Sequence, residues 1–111
     1  MIKMAMSQAA ASLIRALVAR ARVERNRILL TDVQSVDWQS LTLTGERHQI
    51  AFRVTGLDSA EIARRMCAGL EDAEFSIPGV IVADIAVVGA PARQCDGATE
   101  LMIEALTVSE N

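Results

Sequence analysis

The sequence predicts an α+β protein in which two αββ units form one four-stranded antiparallel sheet with both helices on one face. The order of patterns is helix, two strands, helix, two strands, with no intervening linker, and such elements pack as helices on one side of a sheet. The length of 111 residues corresponds to a single α+β domain over residues 1–111. The element order is also compatible with a ferredoxin-like sandwich, circularly permuted, which is an analogy of fold and not of function.

The first helix is predicted over residues 7–27, where apolar side chains recur at spacings of three and four residues. Ser7 precedes this pattern and suits the N-cap. Residues 1–30 carry a net charge of +5 (six Lys or Arg, one Glu), whereas residues 31–111 carry −8 (five Arg, thirteen acids). We expect this basic helix to dock on its own acidic body, with a reach toward nucleic acid or anionic lipid as the alternative.

The next two strands are predicted over residues 31–44 and 49–55, with a turn at Gly45. A two-residue loop (Gly45 and Glu46) and a four-residue loop (45–48) both put the same apolar side chains on one face, because the two registers differ by an even step. These side chains are Leu41, Leu43, Ile50, Phe52 and Val54.

Trp38 and Arg53 are candidate binding residues on this hairpin. An unbroken strand places Trp38 on the face without helices, where Arg53 of the neighbouring strand could stack on the indole. Trp and Arg together on an open sheet face are typical of a protein interface. A bulge at residues 37–39 would instead turn Trp38 into the core, and the sequence leaves both placements open.

His48 and Arg47 are the other two candidate binding residues, and both are predicted at the tip of the turn beside Glu46. A histidine there could act as a base or as a pH sensor. The alternative is a solvated turn residue without a function, because no orienting partner is evident from the sequence.

The second helix has a clear predicted start at Asp58, which suits the N-cap, with Glu61 at the spacing of a capping box. Leu57 and Ile62 have the spacing of a hydrophobic staple. The helical region must end before Pro78, because proline disfavours helix at the residue that precedes it.

The last two strands are predicted over residues 79–89 and 98–108, joined by a loop at 90–97. The first of them is apolar on both faces apart from Asp84, which predicts burial on both sides. A buried carboxylate needs a partner, and an arginine of the first helix (Arg15, Arg20 or Arg22) paired with Asp84 would explain both charge anomalies. The alternatives are a contact of Asp84 within a dimer and a position at the exposed end of a less buried face. Aliphatic side chains on both faces also leave the open face of the sheet partly apolar, and the simplest cover is a second copy of the chain.

The sequence lacks the signatures of familiar cofactor enzymes. Lys3 is the only lysine, and the chain has neither a Gly-rich phosphate loop nor a G-x-S-x-G motif. Cys67, Cys95 and His48 are too widely separated for a zinc site, so we expect no metal and no cofactor. Cys95, with Arg93 nearby, is the candidate for a reactive thiol.

The two unpatterned cysteines indicate a reducing compartment, and we expect a cytoplasmic protein. The longest uncharged run, residues 4–14, is shorter than the roughly 20 residues that a membrane-spanning helix needs, and neither a signal peptide nor an anchor is expected.

The leading functional hypothesis is a small cytoplasmic homodimer that serves as an interaction or accessory protein and contacts a protein partner through the open sheet face. Nucleic acid is not expected as a partner, because the chain has three aromatic residues and a net charge of −3. The alternative is a small-molecule-binding or catalytic dimer. Its pocket would lie near the 45–53 hairpin and the 90–97 loop and would bring together His48, Arg53 and Cys95.

Overall fold

The computed structural model describes residues 6–109, in which two helices pack on a five-stranded antiparallel sheet. The helices are α1 (Gln8–Arg20) and α2 (Ser59–Cys67), and the strands are β1 (Ile28–Gln39), β2 (Thr44–Val54), β3 (Val80–Val87), β4 (Ala92–Arg93) and β5 (Thr99–Ser109). Short 3-10 turns cover Arg25–Arg27 and Leu70–Asp72. The predicted α+β class is therefore confirmed. The sheet has one strand more than expected, because part of the predicted 90–97 loop pairs with β5.

β5 is the central strand of the sheet. The strand order is β1-β2-β5-β3, and the short β4 lies beside β5 beyond the end of β3. Every one of these pairings is antiparallel. Residues that pair directly across strands point to the same face, so the register separates the side chains into a face toward the helices and a face away from them.

The apolar core fills the space between the helices and one face of the sheet. α1 contributes Leu13 and Leu17, and α2 contributes Ile62 and Met66, all without exposed surface. The strands contribute alternate residues: Ile50, Phe52, Val54, Ile85, Leu101 and Ile103. The period-two pattern thus predicted the core face correctly for the second half of β2.

α1 begins where the sequence predicts it, with the Ser7 hydroxyl accepting a hydrogen bond from the backbone N–H of Ala10 at 3.1 Å. It ends at Arg20, well before residue 27. A contact from α2 explains this end point. Arg65 donates a hydrogen bond to the free carbonyl of Ala21 at 2.9 Å and so stabilises the end of α1 there.

The turn of the β1–β2 hairpin falls at residues 40–43, and the prediction of a turn at Gly45 is wrong. The Ser40 hydroxyl accepts a hydrogen bond from the N–H of Leu43 at 3.1 Å, and the Ser40 N–H donates to the Leu43 carbonyl at 2.8 Å. Leu41 and Leu43 are therefore exposed at the tip of the hairpin. The predicted register placed both of them on the core face.

Gly45 is a strand residue that allows a close backbone approach. It pairs with Trp38 of β1 and with Val108 of β5, and a Cβ atom at this position would overlap the carbonyl oxygen of Thr107. A glycine inside a strand often marks such an approach instead of a turn, which explains why the local sequence pattern is misleading here.

α2 begins after Asp58 as predicted, but the capping box and the staple are absent. The Asp58 carboxylate forms an ion pair with Arg27, and Glu61 bonds to Arg64, so neither carboxylate caps the helix. Leu57 is 91% exposed and cannot pack on Ile62. The local pattern assigns the Asp58 carboxylate to the N-cap of the helix. In the structure this carboxylate accepts a hydrogen bond from the guanidinium of Arg27, which lies in the turn before β1.

β3 is an edge strand with one open face, so the prediction of burial on both sides is wrong. Ile85 is buried, whereas Ile81 and Asp84 are exposed. The register against β5 shifts between Val82 and Asp84, which leaves Ala83 unpaired. The apolar run reflects one face toward the core and a second face that the described residues leave uncovered.

Candidate interaction face

The helices cover one face of the sheet, and the opposite face, which we call the open face, is uncovered within residues 6–109. The register assigns to it alternate residues from every long strand. Its exposed large apolar side chains are Leu29, Val36, Ile81 and Val88, with exposed fractions of 42–60%. Half-buried Trp38, Met102 and Leu106 lie between or beside them. Large apolar side chains exposed on one face of a sheet are typical of an interaction site.

Trp38 lies on the open face. Pairing between β1 and β2 is regular from Asp32 to Gln39, and Trp38 is opposite Gly45, on the side away from the core. Of the two placements that the sequence leaves open, the structure therefore has the one on the open face. The irregularity of β1 lies between Leu30 and Asp32, outside the 37–39 segment considered in the alternative. The side chain is partly covered, and the glycine opposite it leaves room for the indole ring.

Arg53 lies on the same face but at its other end, so the predicted stacking of Arg53 on Trp38 is wrong. Arg53 is opposite Leu29, whereas Trp38 is opposite Gly45, eight positions earlier in β2. At about 3.4 Å per residue, the two side chains start roughly 27 Å apart. Arg53 instead forms ion pairs with Glu100, at 3.0 Å, and with Asp96 of the loop before β5. Its charge is thereby neutralised within the chain.

Arg47 and Asp84 lie on either side of one residue of the central strand. Arg47 of β2 and Asp84 of β3 are both opposite Leu106 of β5. Two strand spacings separate them, about 10 Å, and neither forms an ion pair with another described residue. The expected pairing of Asp84 with an arginine of the first helix is wrong, because Asp84 is exposed on the face away from the helices.

His48 is buried on the core face of β2, and its predicted position at the tip of a turn is wrong. The imidazole has no exposed surface. Its Nδ1 lies 2.7 Å from the Ser35 hydroxyl of β1, and its Nε2 lies 2.9 Å from the Thr107 hydroxyl of β5. The three side chains form a polar bridge across three adjacent strands, in which each ring nitrogen is hydrogen-bonded to one hydroxyl.

Burial lowers the pKa of His48 below its ordinary value, and the neighbouring Glu46 carboxylate opposes this effect only in part. The imidazole is therefore held in its neutral form between two hydroxyls. Because the ring has no accessible surface, it is a structural element and not an exposed base. The alternation Val54, Phe52, Ile50 already contains the signal for this position, since its continuation by one more step reaches His48.

The residues of the alternative, catalytic hypothesis do not share one cavity. His48 and Arg53 point to opposite faces of β2. Arg53 does contact the 90–97 loop, through its ion pair with Asp96. Cys95 of that loop is an exposed free thiol. Cys67 is half-buried, and burial raises the pKa of its thiol against the opposing effect of Arg20. Within residues 6–109, no three His, Cys, Asp or Glu side chains are grouped so that they could hold a metal ion.

The arginines of the first helix make contacts different from the expected ones. Arg20 donates to the Met66 carbonyl at 3.1 Å and to the Ala68 carbonyl, both at the end of α2. Arg20 therefore docks on helix-end carbonyls, whereas Arg27 bonds to the Thr55 carbonyl and forms an ion pair with Asp58. Neither helix in the described part of the chain is long and apolar enough to cross a membrane.

Comparison with known proteins adds no functional assignment. No family model matches the sequence, and no curated protein matches it either.

Proposed function

We propose that this protein is an interaction module that works as a homodimer, with the open face as the contact between the two copies. The observation that carries the proposal is the one-sided cover of the sheet. Four large aliphatic side chains of the open face are at least 42% exposed, although the opposite face contains the core. A second copy would remove this apolar surface from water, which is the main driving force of protein association.

The charges of the open face support a second copy as the occupant. In the proposed dimer the open faces of two copies meet, and the two-fold axis lies between the two sheets, parallel to β5. This axis places the β2 side of one copy over the β3 side of the other. Since Arg47 and Asp84 are both opposite Leu106, this axis brings Arg47 of one protomer over the partner's Asp84, and the converse contact forms at the same time. This row of the open face is thus complementary to itself across the proposed axis.

The size of the open face is also adequate for a dimer. Four strands of about ten residues cover roughly 600 Å² in projection, from a strand spacing near 4.8 Å and a rise near 3.4 Å per residue. Specific interfaces bury about 800 Å² of accessible surface on each partner. An interface of ordinary size therefore needs the whole face, including the end that contains Trp38.

The strand order β1-β2-β5-β3 supports the finer proposal of a circularly permuted ferredoxin-like sandwich, with β4 as an addition at the edge. The two free thiols, Cys67 and Cys95, support a reducing, cytoplasmic location. Both statements concern architecture and compartment and do not depend on dimer formation.

Light scattering over a dilution series tests the homodimer. The expected mass is twice that of the 12.0 kDa chain. The double variant Val36→Lys/Ile81→Lys adds two charges to the open face and should be monomeric. The matched control, Leu57→Lys, changes a residue that is 91% exposed and outside the sheet, and it should remain dimeric. A wild-type monomer at every concentration, or a dimer that survives the double substitution, would refute the proposal.

A further inference from the structure

A groove with a volume of about 500 Å³ lies between α1 and α2, on the side of the molecule opposite to the open face. Four arginines line it, together with three alanines whose small side chains leave the space free: Arg20, Arg22, Arg64, Arg65, Ala16, Ala19 and Ala68. The groove does not involve the residues of the proposed dimer contact.

Two of the arginines are fixed in place by backbone contacts. Arg20 donates to the carbonyls of Met66 and Ala68, and Arg65 donates to the carbonyl of Ala21. These contacts also offset the partial negative charges of both helix ends, which would otherwise repel an anion. Because these bonds already hold both side chains, an anion in the groove would bind them with little loss of side-chain entropy.

The groove has a surplus of positive charge. Glu61 is its one acidic neighbour in an ion pair within residues 6–109, and it contacts Arg64 at 2.7 Å and Arg65 at 3.8 Å. Four arginines against one carboxylate leave a net charge of +3 on a chain whose total is −3. Such a concentration of one sign of charge in a concave site attracts counter-ions of the opposite sign.

Arg22 has a backbone conformation that stability does not explain. Its φ angle of 56° lies in the left-handed region, and it is the single non-glycine residue of the described chain with a positive φ. The position follows the end of α1, where glycine is the usual residue because a Cβ atom is disfavoured. An exposed arginine at this strained position, on the lining of a basic groove, indicates a functional reason for its side chain.

We propose that this groove binds the phosphate group of a small phosphorylated compound. Guanidinium groups bind phosphate oxygens through paired, charge-assisted hydrogen bonds. The lining residues contain no aromatic side chain to stack on a base, so recognition depends on the phosphate. The net charge of −3 repels an extended polyanion at long range, which favours a small ligand over nucleic acid.

Isothermal titration calorimetry of the full chain with inorganic pyrophosphate, at about 0.15 M ionic strength, tests the proposal. The wild type should bind, and Arg22→Gly should bind at least about tenfold more weakly, because a charged hydrogen bond is lost. The same substitution puts the preferred residue at the left-handed position, so the melting temperature should stay equal or rise by up to about 4 °C. Loss of affinity without loss of stability separates binding from folding.

The matched control is Arg25→Ala, which removes an exposed arginine outside the groove and should leave the affinity unchanged. Arg64→Gln is a second groove variant and should weaken binding as well. Four results would overturn the proposal: absence of pyrophosphate binding, equal affinity for citrate, tighter binding of a short oligothymidylate, or a lower melting temperature of Arg22→Gly.

Discussion

Arg20 and Arg65 stabilise the ends of each other's helices. Arg20 belongs to α1 and donates to the carbonyls of Met66 and Ala68 at the end of α2, whereas Arg65 belongs to α2 and donates to the carbonyl of Ala21 at the end of α1. Helix ends leave carbonyl groups without partners, so each helix supplies what the other lacks. This exchange fixes where both helices stop and holds them side by side on the sheet.

We expect Arg20→Ala and Arg65→Ala each to lower the free energy of unfolding by about 1–2 kcal/mol, because each leaves helix-end carbonyls without a charged donor. Urea denaturation followed by circular dichroism measures the loss. The control Arg25→Ala, at an exposed position outside this exchange, should change the stability by less than about 0.5 kcal/mol. Equal losses for all three variants would show that total charge, and not helix capping, is responsible.

His48 should make the stability of the protein depend on pH. Burial lowers its pKa in the folded state below the ordinary 6.5. The stabilisation of the neutral form is therefore complete above that ordinary value. As the pH falls below it, the unfolded chain binds a proton that the folded state excludes, so the free energy of unfolding decreases until the folded-state pKa is reached.

Urea midpoints measured from about pH 7.5 to 5.5 should accordingly fall for the wild type. The variant His48→Gln should be less stable at pH 7.5, because it disturbs the bridge between Ser35 and Thr107. It should also lose most of the pH dependence, since His48 is the chain's one histidine. An unchanged slope in the variant would assign the effect to carboxylates instead.

Charge exchange on the open face tests the geometry of the proposed dimer. Arg47→Glu and Asp84→Arg should each weaken dimerisation by at least about tenfold, because a two-fold axis makes every like-charge contact occur twice. The combined variant Arg47→Glu/Asp84→Arg should restore the affinity. Analytical ultracentrifugation measures the dimer affinity of the wild type and the three variants. A double variant that dimerises more weakly than both single variants would contradict the proposed axis.

Gly45→Ala should destabilise the fold by about 2–4 kcal/mol, because the added methyl group forces β2 and β5 apart. The reason is steric, since a Cβ atom there overlaps the carbonyl of Thr107. Gly79→Ala is a suitable comparison, because Gly79 has a positive φ of 80° but open space around it. It should cost only about 1 kcal/mol from backbone strain. Thermal unfolding of both variants would separate overlap from strain, and similar losses would disprove the close approach.

Local patterns predicted the elements of the fold but not the contacts between distant segments. The spacing of Ser7 before an apolar pattern identified the start of α1, and the alternation of Ile50, Phe52 and Val54 identified the core face of β2. The local pattern predicts a turn at Gly45 and is wrong there, because the reason for glycine lies in β5, far away in the sequence. The real turn, residues 40–43, contains none of the usual turn residues apart from a serine.

The candidate site was predictable to a similar extent. Trp38 and Arg53 do lie on the open face, because period two determines the face of a strand residue once its strand is recognised. Arg47 also lies there, within β2, and its predicted position at the turn is wrong. Their positions along the face depend on where the hairpin turns, and the wrong turn brought Arg53 close to Trp38 and His48 to the tip. The reciprocal contacts of Arg20 and Arg65 left no local signal, because the carbonyls that they bind belong to another helix.

The central position of β5 has a consequence for the order of synthesis. His48 and Thr107 are 59 residues apart, so a ribosome completes β2 long before the strand that covers its inner edge exists. During that interval the first αββ unit presents an unpaired strand edge and an apolar stripe, and it cannot form a finished half of the protein. The two repeated patterns of the sequence are therefore not two folding units. We expect the sheet to close only when β5 enters between β2 and β3, and contacts of such long sequence separation are associated with slow folding.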